Sequence, residues 1–393
     1  MSDRETEINE IIEQIKKEWV IKDWIDSQFL ESKENNYDEL LNYVIRFWYG
    51  APTEPPFTEH GIGHCRAVER NIQRIVELYR IKLNIQEKFL LSATSYLHDI
   101  SLKADWEKSS QDIFRLYEDH HIKSASLLME KYLKIGLDET FASIISVLIK
   151  FHRKKEDLNN CPQKSILDNG FVRPRLISAI FRLGDAIHVD SSRVREPNWR
   201  YLLYRANIPL DVKFHWIKSF LVPAIALNAS DKTIDVQINI PDVFFREDQR
   251  ENAMNQRIGL LGSSIRQLLQ EEVDSVNHVL SKYSRFVISE VRYMINQIPD
   301  NRKNRNQELI RFIFDYSATY SPSASMVIET ALENIIQSTG RFYREQFNAV
   351  SDYWNIMNNL VNSTRSFLEE FLKDRPCHLG LNNMCRIIES IGK

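Results

Sequence analysis

Glycine is scarce in this chain: 11 residues among 393 supply too few turn positions for a loop-rich β architecture, so a mostly α fold is expected. Cysteine is scarcer still. Four thiols, Cys65, Cys161, Cys377 and Cys385, stand far apart with no CxxC spacing, which fits reduced cysteines better than a disulfide framework or a thiolate zinc knuckle. Long hydrophobic runs are missing as well. The most apolar internal stretch, Phe220 to Leu227, contains Pro223 and falls far short of the ~20 residues that a membrane-spanning helix requires. Met1 to Trp19 mixes acidic and basic residues with isoleucine, unlike the apolar core of an export signal, so a cytoplasmic protein with no membrane partner is expected. Nor is there an excess of charge of one sign. The 51 Lys and Arg against 54 Asp and Glu give a formal net charge of −3, and no global field draws the chain to nucleic acid or anionic lipid.

What is present is ordinary globular composition, with 43% hydrophobic and 27% charged residues, and enough length for at least two domains. The pattern divides into N-terminal helices (1–50), a central helical segment (51–200), a β-hairpin extension (201–247) and a helical C-terminal region (248–393). Met1 to about Ser32 reads as one charged helix, Glu34-Asn35-Asn36 as a break, and Asp38 to Trp48 as a second helix. Pro52, Pro55 and Pro56 then make a stiff connection. Val68, Ile72, Ile75 and Tyr79 form the apolar stripe of the next helix, and His64, one turn earlier on that stripe, should face inward. Gln86 to Asp99 is a further helix with small residues at Ser92, Ala93 and Ser95. Another helix starts near His120, and the stripe Phe141, Ile145, Leu148 leads to His152. Between them, Ser101 to Asp119 has no clear period and reads as a loop or lid. From Pro174 to Asp190, Leu176, Ile180, Leu183 and Ile187 share one side, and Asp185 falls opposite them with Arg182 and His188.

Beyond Trp199 the period changes. Phe220 to Leu227 and the alternating Ile234, Val236, Ile238 and Ile240 predict a hairpin around Asn228 to Lys232. Asp248 to Ile298 reads as one long helix with a seam of Ile258, Leu261, Ile265, Leu268, Val276 and Leu280, and several helices follow from Asp300 to Lys393.

The dipeptide His98-Asp99, ending an apolar helix, carries the chemistry. An imidazole and a carboxylate buried side by side are costly unless each is hydrogen-bonded or metal-bound. A divalent cation with mixed His and Asp ligands would compensate both and activate water for hydrolysis. Positive residues gather nearby: Arg153, Lys154 and Lys155 follow His152, and Arg173, Arg175, Arg182, Arg193 and Arg195 surround Asp185. Against the alternative of a merely solvated basic face, two such clusters point to an anionic, phosphorylated substrate.

These residues resemble the HD superfamily of metal-dependent phosphohydrolases, all-helical domains with the order His, His-Asp, Asp. The matching motifs are HCRAV at His64, YLHDIS at His98-Asp99 and RLGDAIHVDSSRV at Asp185. The resemblance makes 51–200 the metal-binding catalytic domain and His64, His98, Asp99 and Asp185 the ligands of a first metal. Members with two metals carry two more histidines between, and HHIKSA at His120 and IKFH at His152 occupy those places, so both would join a bridging Asp99 around a second ion. His121 is an alternative to His120, which the resemblance favours. The ligand set suits one or two divalent ions, with Mn, Fe, Zn, Ni and Mg not distinguished. Two ions about 4 Å apart would lower the pKa of a bridging water and hold the oxygens of an in-line phosphoryl displacement. Lys123, Arg182 and Arg193 are candidates to neutralise phosphate, His121 and His188 to donate a proton, and His60 to support the ligands from behind. Where two-metal branches read HDIGK this chain reads HDISL, so a cyclic-dinucleotide activity does not carry over. FTEHGIGH, YLHDIS, the late strand pair and the helical tail look more like the bacterial HD-CE-like branch found beside or fused to chaperone-type ATPases in conflict systems.

The expected activity is therefore hydrolysis of a phosphate ester or anhydride, in a nucleotide, by metal-activated water. Two other readings stand beside it: a metal-dependent nuclease acting on single-stranded nucleic acid, and a nucleotide-binding sensor or scaffold without turnover. The C-terminal helices would pair with a second copy of the chain or with a chaperone-type ATPase.

Overall fold

The structure is a computed structural model that describes residues 3–17, 27–48, 58, 60–102, 113–167, 170–194, 210–241, 251–285 and 287–298. Its helices are α1 (Asp3–Lys17), α2 (Ser27–Trp48), α3 (Ile62–Tyr79), α4 (Ile85–Leu97), α5 (Ile113–Lys131), α6 (Glu139–Lys150), α7 (Pro174–Ala186), α8 (Leu210–Leu221) and α9 (Glu251–Leu280). The strands β1 (Ser165–Leu167) and β2 (Gly170–Val172) form one small antiparallel pair, and β3 (Ala224–Asn228), β4 (Thr233–Pro241) and β5 (Glu290–Ile298) form a sheet in that order. The fold is mostly α. Two compact units are present, residues 1–240 with 262–298, and residues 241–261 with 299–393. Every residue of the site lies in the first.

Local chemistry sets the helix starts. The Glu87 amide donates to the Asn84 side chain while the Asn84 amide donates to the Glu87 carboxylate, a reciprocal cap that begins α4. Asp138 accepts from the Phe141 amide at the start of α6, and Pro174 occupies the first turn of α7, where its missing N–H costs nothing. Glu87 is fully buried and takes a two-pronged ion pair from Arg173, with Nε at 2.7 Å and Nη2 at 2.6 Å, which ties α4 to the residues entering α7.

Helices α3, α4, α6 and α7 pack on one another around Leu90, Leu91, Leu97, Ile145, Leu148, Ile180 and Leu183, all fully buried. Gly184 lets α3 and α7 approach, because a Cβ there would stand 2.6 Å from Cγ1 of Ile72. Gly184→Ala is expected to destabilise the fold by ~1–3 kcal/mol, as overpacking does. Denaturant unfolding of the single variant and of Gly184→Ala with Ile72→Ala checks this, since the smaller residue at 72 should recover part of the loss.

Glu69 of α3 is buried against α4, where the Ser92 hydroxyl donates to Oε1 and the Tyr96 hydroxyl donates to Oε2 at 3.1 Å. Burial raises its carboxyl from 4.5 to about 7. The folded state therefore binds this proton more tightly than the unfolded chain, and the stability that Glu69 contributes is full below the unfolded pKa and lost as pH rises through the folded one. The melting temperature of the wild type should fall between about pH 5 and 8, and that of Glu69→Gln should fall less.

Several expectations from the sequence need correction. Helix α2 runs through Glu34-Asn35-Asn36 without a break. The stretch expected as a loop or lid is helical at Ser101-Leu102 and from Ile113 to Asp119, and 103–112 lie outside the described residues. Helix α7 stops at Ala186, so His188 sits beyond it. Phe220 and Leu221 end α8, which Pro223 prevents from continuing, and the first strand starts at Ala224. The hairpin itself pairs Ala224 with Gln237 through to Asn228 with Thr233, with Ile234, Val236, Ile238 and Ile240 buried. The long helix expected to reach Ile298 ends at Leu280. In β5, Val291, Tyr293 and Ile295 alternate with Arg292, Met294 and Asn296, a period-two pattern hidden by the helical seam before it. That seam turns on Ile265, Leu269, Val273 and Val276, and Leu268 is half-buried beside it. The Ile258 side chain, the prolines of 51–57, Arg195, Cys377, Cys385 and the helices expected beyond Asp300 lie outside the described residues. Cys65 and Cys161 are buried and in no disulfide among the described residues. Among the described residues no helix is long and apolar enough to cross a membrane.

Candidate metal centre

His98 and Asp99 follow α4 directly, in a turn that is tied to α5 by the Ser101 hydroxyl donating to the His120 carbonyl (3.0 Å) and the Ser101 amide donating to the Ser124 hydroxyl (3.1 Å). His152 follows the end of α6, Asp185 lies in the last turn of α7, and His64 lies in the first turn of α3. Three helix C-termini therefore meet at one place, and their partial negative charge favours a cation there.

The donor atoms form two groups that share Asp99. In the first, His64 Nε2 is 3.1 Å from His98 Nε2, 3.2 Å from Asp185 Oδ1 and 3.7 Å from Asp99 Oδ2, and His98 Nε2 is 3.1 Å from Asp99 Oδ2. In the second, His120 Nε2 is 3.1 Å from His152 Nε2 and 3.2 Å from Asp99 Oδ1. Each of the sets His64, His98, Asp99 and Asp99, His120, His152 brings its ligand atoms within 4.8 Å of one another. Asp99 turns one carboxylate oxygen to each. Among the described residues its Oδ1 is buried with no hydrogen-bond partner, although His120 Nε2 lies 3.2 Å away.

The back sides of these rings show where their protons are. His98 Nδ1 donates to the Ser95 carbonyl at 3.1 Å and His152 Nδ1 to the Ile149 carbonyl at 2.6 Å, so both Nε2 lone pairs face inward. A longer chain holds His64. The Ser192 hydroxyl donates to Asp190 Oδ1 (2.6 Å), so it accepts from His188 Nε2 (3.1 Å), and His188 Nδ1 is left to accept from His64 Nδ1 (2.7 Å). His64 Nε2 is thereby a lone pair as well. Unprotonated nitrogens at 3.1 Å repel one another unless something positive lies among them.

The electrostatics express the same demand. Burial opposes a charge on His98, yet Asp99 and Asp185 outweigh it and raise the imidazole. Burial would raise Asp99 too, but His98 and His120 hold it well below the usual carboxylate range, and His64 and His98 do the same for Asp185. Burial and the Arg193 charge lower His64 and His188 to about 3, and burial with His120 and His98 keeps His152 neutral. His64 and His152 are thus neutral beside ionised carboxylates, the forms that bind a divalent ion, while the raised His98 would give up its extra proton to one.

The remaining sequence candidates separate. Of the two adjacent histidines, His120 joins the cluster. His121 turns to Glu156 Oε1 at 3.3 Å, and burial lowers it to about 4, so at neutral pH it carries no extra proton to donate. Both nitrogens of His188 are engaged inside the protein, so it faces His64 and not a substrate. Arg182, expected at phosphate, is 2% exposed and directs its guanidinium to the carbonyls of Phe151 and Glu156 at 2.8 and 2.6 Å, because the face it shares with Asp185 is covered by the chain leaving α6. Lys123 is half-buried on α5, where its charge acts on Asp119. Lys154 and Lys155 pair on the surface with Glu271 and Asp119, and Arg175 binds the Cys161 and Asn159 carbonyls. Arg193 does reach the centre. Its Nη1 donates to the His188 carbonyl and its Nη2 to His60 Nε2, both at 3.1 Å, and His60 Nε2 is 4.0 Å from Asp99 Oδ2. Sequence reasoning missed the partners Ser95, Ile149 and Asp190, which carry no periodic signal, and it missed Lys218. The signal for Lys218 was present: a lone lysine in the apolar run FHWIKSFL.

No curated protein is significantly similar to the chain. Residues 54–281 match the family model HD-CE, a span that contains His64, His98, Asp99, His120, His152 and Asp185. With more than half of its length in that match, and with its buried histidines and aspartates gathered on a mostly α frame, the chain belongs to the HD-CE family.

Proposed function

We propose that this HD-CE domain is a metal-dependent phosphohydrolase that cleaves a phosphate ester or anhydride bond in a nucleotide. The observation that carries the reading is the pair of donor groups sharing Asp99, with inward lone pairs on His64, His98 and His152 and a buried Asp99 oxygen that has no hydrogen-bond partner among the described residues. His64, His98, Asp99 and Asp185 would hold one divalent ion, and Asp99, His120 and His152 a second. When bound, such ions supply Lewis acidity, lowering the pKa of water and polarising a phosphoryl oxygen. The protein's own groups prepare the site. The Ser95 and Ile149 carbonyls orient His98 and His152, and the chain Asp190, Ser192, His188 orients His64, making His188 a positioning residue. Arg193, held by His188 and His60, places a fixed positive charge where phosphate charge needs neutralising.

The test is a screen of nucleotides, cyclic nucleotides and oligonucleotides against the protein loaded in turn with Mn, Fe, Zn, Ni and Mg. Turnover of a mononucleotide that stops on chelation and returns with metal supports the proposal. Binding without turnover across all metals, or cleavage confined to oligonucleotides, contradicts it.

A further inference from the structure

Lys218 is a lysine that the fold buries without an ion-pair partner among the described residues. It sits on α8 at 4% exposure, and its one polar contact among the described residues is Nδ1 of His215 at 3.4 Å. Burial and the Arg193 charge hold its ammonium down at about 7, while Glu272 and Asp185 pull the other way from beyond ion-pairing distance. A buried, unpaired lysine is heavily penalised. Such groups persist where a ligand needs them.

The position of Lys218 suits a ligand at the metal centre. Helix α8 packs on the short turn Ser191–Arg193, and the Ser191 amide donates to the Val222 carbonyl at 2.8 Å just past the helix end. The same turn carries Arg193, whose guanidinium reaches His60 beside Asp99. The exposure of the centre is uneven. His64, His98, Asp99, His120 and His152 are at most 4% exposed, whereas the Asp185 side chain is 24% exposed and Arg193 is half-buried. Arg193 and Asp185 both act electrostatically on the Lys218 ammonium, so the two cations and the partly exposed carboxylate share one neighbourhood.

We propose that Lys218 and Arg193 form an anion subsite that holds a second phosphoryl group of the substrate, next to the one positioned at the donor groups. The substrate is then a phosphoanhydride, such as a nucleoside diphosphate or triphosphate, and not an isolated monoester. This inference rests on the phosphohydrolase reading. The combination is chemically apt: a rigid guanidinium fork supplies directed hydrogen bonds, and an ammonium adds a compact point charge.

The test is calorimetric titration of the full chain, with and without added Mn, using two probes that cannot be hydrolysed: methylenediphosphonate and methylphosphonate. Lys218→Met should weaken methylenediphosphonate binding about ten- to a hundredfold and leave methylphosphonate binding unchanged. Lys218→Arg should retain most of the affinity. Lys218→Met should also melt at a higher temperature than the wild type, because a buried charge is exchanged for an apolar side chain of similar length. Unchanged diphosphonate binding, or an equal loss for both probes, overturns the subsite. So does a lowered melting temperature with affinity intact, which marks a structural lysine. Metal content of the same samples reports separately on the hydrolase reading. A wild type that takes up no metal, yet loses diphosphonate binding on Lys218→Met, keeps the subsite and removes the hydrolase.

Discussion

Asp99→Asn is expected to empty both donor groups at once and to reduce hydrolysis by at least about 10³-fold, beyond the ~10–100-fold typical when an outer partner of a ligand is lost. Asp99 is shared: Oδ2 lies 3.1 Å from His98 Nε2 and Oδ1 lies 3.2 Å from His120 Nε2. An amide keeps the shape and loses the charge. It also puts an NH2 where one group needs an oxygen, so at least one oxygen-facing site becomes a nitrogen donor turned toward lone pairs. His152→Ala should act on one side alone, removing a nitrogen from the second group and leaving the His64, His98 and Asp185 contacts in place. Phosphate release and metal content, measured on both variants, distinguish a shared carboxylate from two independent sites. Equal activity in Asp99→Asn and the wild type would remove Asp99 from the chemistry.

His188→Phe is expected to weaken metal binding at the first group by about 10–100-fold while leaving the second group nearly unaffected. The ring at 188 accepts from His64 Nδ1 at 2.7 Å, and that contact keeps the inward His64 nitrogen free of a proton. Phenylalanine fills the space with nothing to accept, so His64 is free to hold its proton on Nε2 and to turn. Ser192→Ala removes the next link and should shift affinity in the same direction by less, because His188 then lacks the acceptor that fixes its own tautomer. Titration with cobalt, whose visible spectrum reports ligand number, measures both variants against the wild type. A spectrum and affinity unchanged by His188→Phe would show that His188 merely fills space.

These expectations trace unevenly to the sequence. Val68, Ile72, Ile75 and Tyr79 already put His64 on an inward stripe, and it is fully buried. His98 is legible for a similar reason, since it ends a largely apolar helical stretch, and α4 is buried on every side from Phe89 to Leu97. Periodicity says which face a residue occupies and not what covers that face. Arg182 shows the difference: it shares the Asp185 side of α7, but the carbonyls of Phe151 and Glu156 lie over it, and they belong to residues about thirty positions earlier. The choice between His120 and His121 likewise depended on how α5 rolls against the turn after α4, which the Ser101 to His120 hydrogen bond sets. Strand β5 was hidden because a long helical seam dominates any window that overlaps its alternating residues. Lys218 went unread because FLVPAIAL was taken as one strand, which put the helix that buries the lysine out of view.

The most direct measurement is elemental analysis of the purified chain after reconstitution with a divalent metal and removal of the excess. A centre built on a shared Asp99 predicts two ions per chain in the wild type, one in His152→Ala and none in Asp99→Asn. A wild type that retains no metal, or an Asp99→Asn protein that retains as much as the wild type, would contradict it.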